Sequence, residues 1–439
     1  MFGLALPAFA QYAGPAILSR GEAPAALSVP SIDFAFSVAI GASYTDGLVG
    51  ITTNNQENLA RTGSYGGSLT LGLSGAHSWK HTRIGLAYSG SVSAYVSAPV
   101  TGISQGLSLG LSHQFSRHLT FHLSESAGWF TQFPPATVTL NSSVPFDPSQ
   151  SNIPTTDFYD NRTIYSSTSA SMIYQATSRL SFSVGGGYFT DLRRSSALYS
   201  AKGESASGDV QYRLSRRVTV GGSYGFSHYG FSGNLGGSYI HTVGLSMSSR
   251  FSQRTEFSFF GGASFVSSSF EQTVPISPAI LAILCPPNLV AVCPLTPSLV
   301  ISNNTLWAPN FGARISRSFQ RGAVYANVGE SITPGNGLFL TSRAQTASAG
   351  YGYSGLKKWS MSINIGYTRA LSLGNIQGGY GQVSGGFGVS RQIFSHVSFV
   401  SSFSATQYQS ATFADYNHLI YSASVGLGFS SKNIPVRFF

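Results

Sequence analysis

The sequence predicts an all-β fold, namely a single antiparallel up-and-down β-barrel that spans a membrane. Only 9% of the 439 residues are charged, whereas soluble domains carry about 25%. Hydrophobic residues make up 42% of the chain, yet no unbroken apolar run reaches the roughly 18 residues that a membrane-spanning helix needs. Apolar residues instead alternate with small or polar ones. This alternation is typical of strands that face lipid on one side and water on the other.

The stretch from His418 to Phe429 shows this alternation most clearly. Apolar or small residues occupy every second position from Leu419 onward, and serine or glycine lies between them from Tyr421 to Phe429. An alternating strand that ends on an aromatic residue resembles the C-terminal signal strand of Gram-negative outer-membrane β-barrels. The resemblance implies that the barrel assembly machinery recognises an assembly signal made of Tyr421, Val425, Leu427 and Phe429. Residues 430–439 follow this signal, whereas the family usually ends there.

The rest of the chain repeats the same pattern in pairs of segments. Short polar turns alternate with longer connections, as expected for periplasmic turns and extracellular loops. The pattern predicts about eighteen strands, with sixteen as the alternative if the first pair is mis-assigned. An even number places both ends of the barrel on the periplasmic side. The predicted strands lie near residues 33–44, 64–78, 81–95, 104–115, 119–131, 163–176, 179–191, 204–215, 217–229, 237–250, 254–268, 308–319, 322–333, 343–354, 359–371, 381–393, 396–409 and 416–429.

The predicted barrel, residues 31–429, is flanked by short segments. Residues 1–10 resemble the remnant of a signal peptide, because Ala8-Phe9-Ala10 has the small-x-small form of a cleavage site; an ordinary apolar N-terminus is the alternative. Residues 11–30 contain three prolines and no periodicity, so we expect a periplasmic lead without regular structure. Residues 430–439 form a short periplasmic tail, and no second domain is predicted.

The formal net charge of +10 does not indicate nucleic-acid binding, because lysine and arginine recur near the predicted turns rather than in one block. Strand parity instead places several charged residues on the inward face, near periplasmic turns. Basic groups around an aqueous mouth favour anions, unless carboxylates pair with them. The predicted pore-lining residues are Arg83, Asp209, Arg213, Arg250, Glu256 and Arg314.

No motif predicts catalysis, a metal site or a cofactor. Gly221–Gly225 matches the pattern G-x-S-x-G, but no helix follows it as a nucleophile elbow requires. His118 and His122 would lie roughly 13 Å apart on a strand, too far to share a metal ion. We therefore predict that the protein is not an enzyme.

Two long connections carry further predictions. Cys285 and Cys293 lie in one secreted loop, which predicts a disulfide bond, with two free thiols as the alternative. The same connection, Val274–Ile301, is apolar and rich in proline, so we expect a constriction in the barrel mouth, with a self-packed cap or a contact with a partner or with lipid as the alternatives. In porin-like barrels one long loop folds inward, and Pro134–Arg162 is the second candidate.

One residue conflicts with the predicted alternation. Glu125 shares the parity of Leu119, Phe121 and Leu123, so its carboxylate would face the middle of the bilayer, which is costly. A β-bulge that turns Glu125 inward is the expected solution.

The resemblance to porin-like barrels implies a function in the outer membrane. The leading interpretation is a channel that passes polar solutes through a water-filled lumen. A polysaccharide-secretion barrel and a surface adhesion or structural barrel with loop-borne function are the alternatives. The expected partners are outer-membrane lipid, lipopolysaccharide and the barrel assembly machinery, with self-association into a homo-oligomer as a further option. The sequence does not indicate the substrate.

Overall fold

A computed structural model describes eighteen β-strands, as predicted, within residues 34–49, 61–96, 101–130, 163–194, 198–274, 298–335, 340–353, 355–356, 358–373, 378–410 and 417–431. No helix in this part of the chain is long and apolar enough to cross a membrane. The strands are β1 (Ala35–Val49), β2 (Arg61–Ser78), β3 (Thr82–Tyr95), β4 (Thr101–Gln114), β5 (Leu119–Phe130), β6 (Thr163–Gln175), β7 (Leu180–Arg193), β8 (Ala201–Arg213), β9 (Val218–Phe231), β10 (Gly236–Ser252), β11 (Thr255–Val274), β12 (Ser298–Phe319), β13 (Gly322–Thr333), β14 (Ser342–Tyr353), β15 (Trp359–Ser372), β16 (Gly379–Gln392), β17 (Val397–Ser410) and β18 (His418–Ser430).

The strands form one closed antiparallel barrel. Each strand pairs with its sequence neighbours, and β1 also pairs with β18. At this seam Val38 lies opposite Phe429, and Ser37 lies opposite Ser430. Closure leaves no strand edge at the seam, which is how a β-structure satisfies its backbone hydrogen bonds in lipid.

The two ends of the barrel differ in the length of their connections, as predicted. The connections at one end are short, from residues 253–254 between β10 and β11 to residues 354–358 between β14 and β15. The connections at the other end include the chain's two longest, residues 131–162 and 275–297, and also a short one with a 3-10 turn at Ser232–Asn234. By the rule for transmembrane barrels, the short turns are periplasmic and the other end is extracellular.

The two faces of the wall differ in chemistry. Large apolar side chains are exposed on the outward face, for example Ile363 and Ile365 on β15 and Val425 and Leu427 on β18. The inward face carries mainly serine, threonine and glycine. Many of its hydroxyls bond across neighbouring strands, with Oγ–Oγ distances of 2.6 Å for Ser402–Ser424, 2.8 Å for Ser404–Ser422 and 2.6 Å for Ser360–Ser390. The wall therefore presents apolar groups outward and water-compatible groups inward.

Strands β11 and β12 are longer than predicted. The prediction ended β11 at residue 268 and began β12 at residue 308, but the two strands stay paired as far as Val274 opposite Ser298. Polar residues such as Asn303 and Thr305 lie on the outward parity there. The apolar alternation therefore stops before the strand pair does, and only the alternation is visible in the sequence.

The prediction that a β-bulge turns Glu125 inward is wrong. The ladders from β5 to β4 and β6 run without a register shift, with Glu125 opposite Leu109 and Thr168. Glu125 therefore keeps its outward parity. Ser166 and Thr168 on β6, which share this parity, donate hydrogen bonds to its carboxylate. Local hydroxyl donors, rather than a change of face, accommodate the carboxylate.

Candidate functional site: the lumen and its constriction

The lumen is the candidate site because the polar faces of all the strands meet there. An eighteen-stranded barrel is wide enough to leave an aqueous channel unless other segments fill it. Within the described residues, no group of three or more His, Cys, Asp or Glu side chains is arranged to hold a metal ion. The hydroxyl-bearing side chains of the inward face make this interior compatible with water.

The wall splits near the extracellular end of β13. The ladder between β12 and β13 ends at the pair Phe311–Glu330, although β12 continues upward along β11. Pro309, two residues above Phe311, has no backbone N–H to donate, and proline is typical of places where strand pairing ends. Above Glu330, β13 pairs only with β14, as in Thr333 opposite Ser342.

Beyond this split, the β13–β14 hairpin leans into the barrel. Ile332 has outward parity, but it packs against Ile240, Val266 and Ala308, which lie on the inward faces of β10, β11 and β12. Leu373, just after β15, joins the same cluster. The outward face of the hairpin therefore covers part of the inner wall.

The residues just before β14 also contact the inner face of the barrel wall, farther from the point where the hairpin leaves it. Leu340 is fully buried against Ala201, Phe231 and Phe270, at the extracellular ends of β8, β9 and β11. The hydroxyl of the next residue, Thr341, lies 2.5 Å from that of Ser238 on β10. Apolar packing and a buried hydroxyl pair thus hold Leu340 and Thr341 inside the barrel mouth.

An ion pair with a buried carboxylate stabilises the base of the hairpin where it leaves the wall. The side chain of Glu330 is only 3% exposed, and its Oε1 lies 2.6 Å from Nε of Arg343. Arg343 Nη2 and Gln345 Nε2 donate to the other carboxylate oxygen at 3.1 and 2.7 Å. Glu330 is buried, whereas about a third of the Arg343 side chain is exposed, so loss of Arg343 would leave a buried charge uncompensated and would be the more destabilising change.

The predicted constricting loops differ from the segment that the structure places in the lumen. Residues 134–162 and 275–297 lie outside the described residues, so both predictions remain untested. The β13–β14 connection was not among the predicted constrictions. A signal was present, because residues 331–340 read S-I-T-P-G-N-G-L-F-L, which is too apolar for a solvated turn. Gly335 there has a φ of +79°, a backbone conformation that glycine adopts most readily.

The six predicted pore-lining residues have inward parity in the strand register. Arg83, Arg213 and Arg250 lie within two residues of a strand end at the short-turn side, and Arg314 lies five residues above the end of β12. Four arginines with Asp209 and Glu256 leave a formal excess of two positive charges (4 − 2).

The two predicted acidic residues have polar partners on the same face. Arg250 Nη2 lies 2.5 Å from Glu256 Oε1, and about half of each side chain is exposed. Ser183 donates a hydrogen bond of 3.0 Å to Asp209. Pairing reduces the contribution of Arg250 to the field at the mouth, and solvent screens the pair further.

The other predicted functional residues lie elsewhere. Tyr421, Val425, Leu427 and Phe429 share the outward face of β18, and β18 ends one residue after Phe429. Their role as an assembly signal remains a prediction. Cys285 and Cys293 lie outside the described residues.

The fold and its two faces define the class of protein, a porin-like transmembrane β-barrel of the outer-membrane type. No protein-family model matches the chain, and no curated protein matches it.

Three of the similar solved structures are as follows. Pseudomonas aeruginosa OpdL has 11% identity over 91% of this chain and 98% of its own, with a TM-score of 0.41. P. aeruginosa OccK2 (OpdF) in complex with glucuronate has 10% identity over 90% and 97%, with a TM-score of 0.43. Acinetobacter baumannii OccAB4 has 10% identity over 91% and 98%, with a TM-score of 0.40. Similarity at this level does not extend to any particular solute.

Proposed function

We propose that the protein is an outer-membrane channel that passes small polar solutes through its water-filled lumen. The observation that carries this proposal is the inward face, where hydroxyl-bearing residues and glycine follow one another around the barrel. Apart from the two apolar clusters that hold the β13–β14 hairpin, such a surface hydrogen-bonds to water. The β13–β14 hairpin supports a limit on solute size, because it occupies one side of the mouth.

The basic groups near the periplasmic mouth support a preference for anions. Arg83, Arg213 and Arg314 share the inward face there with the pair Arg250–Glu256. Among the predicted pore-lining residues, Asp209 and Glu256 supply the negative charge. Positive potential at an aqueous mouth raises the local concentration of anions, and salt screens this effect over about 10 Å at 0.1 M. The preference should therefore be modest and should decrease with rising ionic strength.

The reversal potential under a salt gradient tests this proposal. The wild-type channel in a planar bilayer should prefer anions, and the double change Arg213→Glu and Arg314→Glu should shift the preference toward cations. The matched control is Arg317→Glu. Arg317 lies three residues from Arg314 on the same strand, but it faces outward with its guanidinium over the ring of Phe319. Unchanged selectivity in the double variant would remove the arginines from the mechanism.

A further inference from the structure

The periplasmic end of the wall from β12 to β16 carries basic side chains without carboxylates. Arg321 lies in the turn between β12 and β13, Lys358 lies in the turn between β14 and β15, and Arg391 is the last residue but one of β16. All three are exposed, and we call them the basic cluster. Residues 272–329 and 331–414 contain no Asp or Glu. The salt bridges among the described residues involve none of the three, so the cluster is a concentration of uncompensated positive charge in that part of the chain.

Two members of the basic cluster, Lys358 and Arg391, are neighbours across a strand pair. The backbone N–H of Gln392 donates to the carbonyl oxygen of Lys358 at 2.8 Å, and Trp359 lies opposite Arg391 in the ladder. The Cζ atom of Arg391 lies 5.0 Å from the centre of the Trp359 ring. Stacking on the ring holds the guanidinium against the wall and leaves its N–H groups available to an anion.

The third member, Arg321, reaches the same turn from the side of β13. A Cβ added to Gly355 would lie 2.7 Å from Cδ of Arg321, so the Arg321 side chain crosses over the β14–β15 turn. In this turn Lys358 has a φ of +68°, the only positive φ outside glycine among the described residues. This backbone conformation favours glycine. A cation thus occupies a position where glycine would be less strained, and one turn gathers three positive charges.

Aromatic groups at the same level place the basic cluster at the membrane interface. Trp359 and Arg391 have outward parity. Tyr353 has outward parity as well, and its ring stacks on that of Tyr351 with 6.4 Å between the ring centres. Phe394, in the turn that follows β16, is 68% exposed. Because tryptophan and tyrosine concentrate where a membrane meets water, the cluster lies at the level of the lipid headgroups in the periplasmic leaflet.

We propose that the basic cluster binds the headgroup of an anionic phospholipid in the periplasmic leaflet. A guanidinium donates two parallel hydrogen bonds to a phosphate group, and an ammonium adds a point charge. Basic residues next to a membrane attract anionic lipids, with a gain of about fivefold in affinity for each cation. The tails of the lipid lie along β15, where Ile363 and Ile365 are exposed. The outward parity of Arg391 and Trp359 favours a lipid over an acidic periplasmic protein, because this part of the wall faces the membrane.

The test measures lipid retention by the full-length protein and three variants. Each protein, purified in mild detergent, is incubated with equal amounts of phosphatidylglycerol and phosphatidylcholine. After removal of free lipid, the retained lipid is extracted and quantified by mass spectrometry. The triple change Arg321→Gln, Lys358→Gln and Arg391→Gln removes the charge of the whole cluster. Lys358→Gly removes one cation and relieves the backbone of the turn, so impaired folding does not explain a loss of lipid in this variant.

The matched control removes the same number of positive charges elsewhere on the periplasmic rim. Its three arginines are exposed residues of the β6–β7 and β8–β9 turns, and none of them belongs to a cation–π pair of the described residues. The changes are Arg179→Gln, Arg216→Gln and Arg217→Gln.

The wild type should retain at least about fivefold more phosphatidylglycerol than phosphatidylcholine. Retained phosphatidylglycerol should fall about fivefold in Lys358→Gly and at least about tenfold in the triple variant, but less than about twofold in the control. Excess inorganic phosphate should leave the lipid bound. The proposal is overturned if the wild type does not distinguish the two lipids, if either cluster variant retains wild-type amounts, if the control loses as much as the triple variant, or if free phosphate displaces the lipid. The assay needs no conductance, so its result is independent of the channel proposal.

Discussion

Releasing the β13–β14 hairpin should widen the channel, and Leu340→Ala is the change that releases it most selectively. Leu340 is fully buried against Ala201, Phe231 and Phe270. Truncating a buried leucine to alanine costs about 3 kcal/mol, since transfer energy is lost and a cavity remains. Because about 1.4 kcal/mol corresponds to a tenfold change in an equilibrium constant, the ratio of docked to undocked hairpin should fall roughly a hundredfold.

Single-channel recording in planar bilayers measures this change. Leu340→Ala should show more frequent visits to states of higher conductance than the wild type. The control is Leu245→Ala, the same truncation on the outward face, where the side chain is 71% exposed and no lumen contact is lost. If Leu340→Ala gives the wild-type conductance and noise, the hairpin does not limit the channel.

Further predictions concern assembly, the extracellular loop and the hairpin base. Phe429→Asp should sharply reduce the amount of protein in outer-membrane fractions, whereas deletion of residues 430–439 should reduce it much less; the reverse order would place the assembly signal in the tail. Peptide mapping without reduction should find Cys285 linked to Cys293 within one chain, and two alkylatable thiols would exclude the bond. Glu330→Gln should raise the frequency of high-conductance states, because it removes the charge that pairs with Arg343 at the base of the hairpin; recordings like those of the wild type would exclude this role for the pair.

The sequence predicted the fold well because the signal repeats in every strand. Every strand has lipid on its outer face and water on its inner face, so every strand shows the alternation of apolar and small residues by itself. All eighteen strands were found, and β13 matches its predicted bounds, residues 322–333. Strand ends were predicted wrongly where a strand no longer has lipid on one face and water on the other, as in the extracellular parts of β11 and β12.

The constriction was harder to predict because it depends on contacts between distant parts of the chain. Nothing near Ile332 in the sequence indicates that it packs against Ile240 and Val266, about seventy to ninety residues earlier. Alternation along β13 assigns Ile332 to the outward face, and this assignment is correct. The alternation does not reveal that this face of the hairpin contacts the inner wall of the barrel instead of lipid. Glu125 shows the converse: parity was right, and the expected bulge was wrong because Ser166 and Thr168 supply donors across the strand pair.

The measurement that tests the central claim most directly is the single-channel conductance of the refolded wild-type protein in a planar bilayer. A water-filled lumen predicts discrete steps of constant size whose conductance rises with salt concentration. Neutral polymers should reduce the current only if they are small enough to enter the mouth, so small and large polymers should differ in their effect. A correctly folded barrel that inserts without any conductance steps would contradict the account.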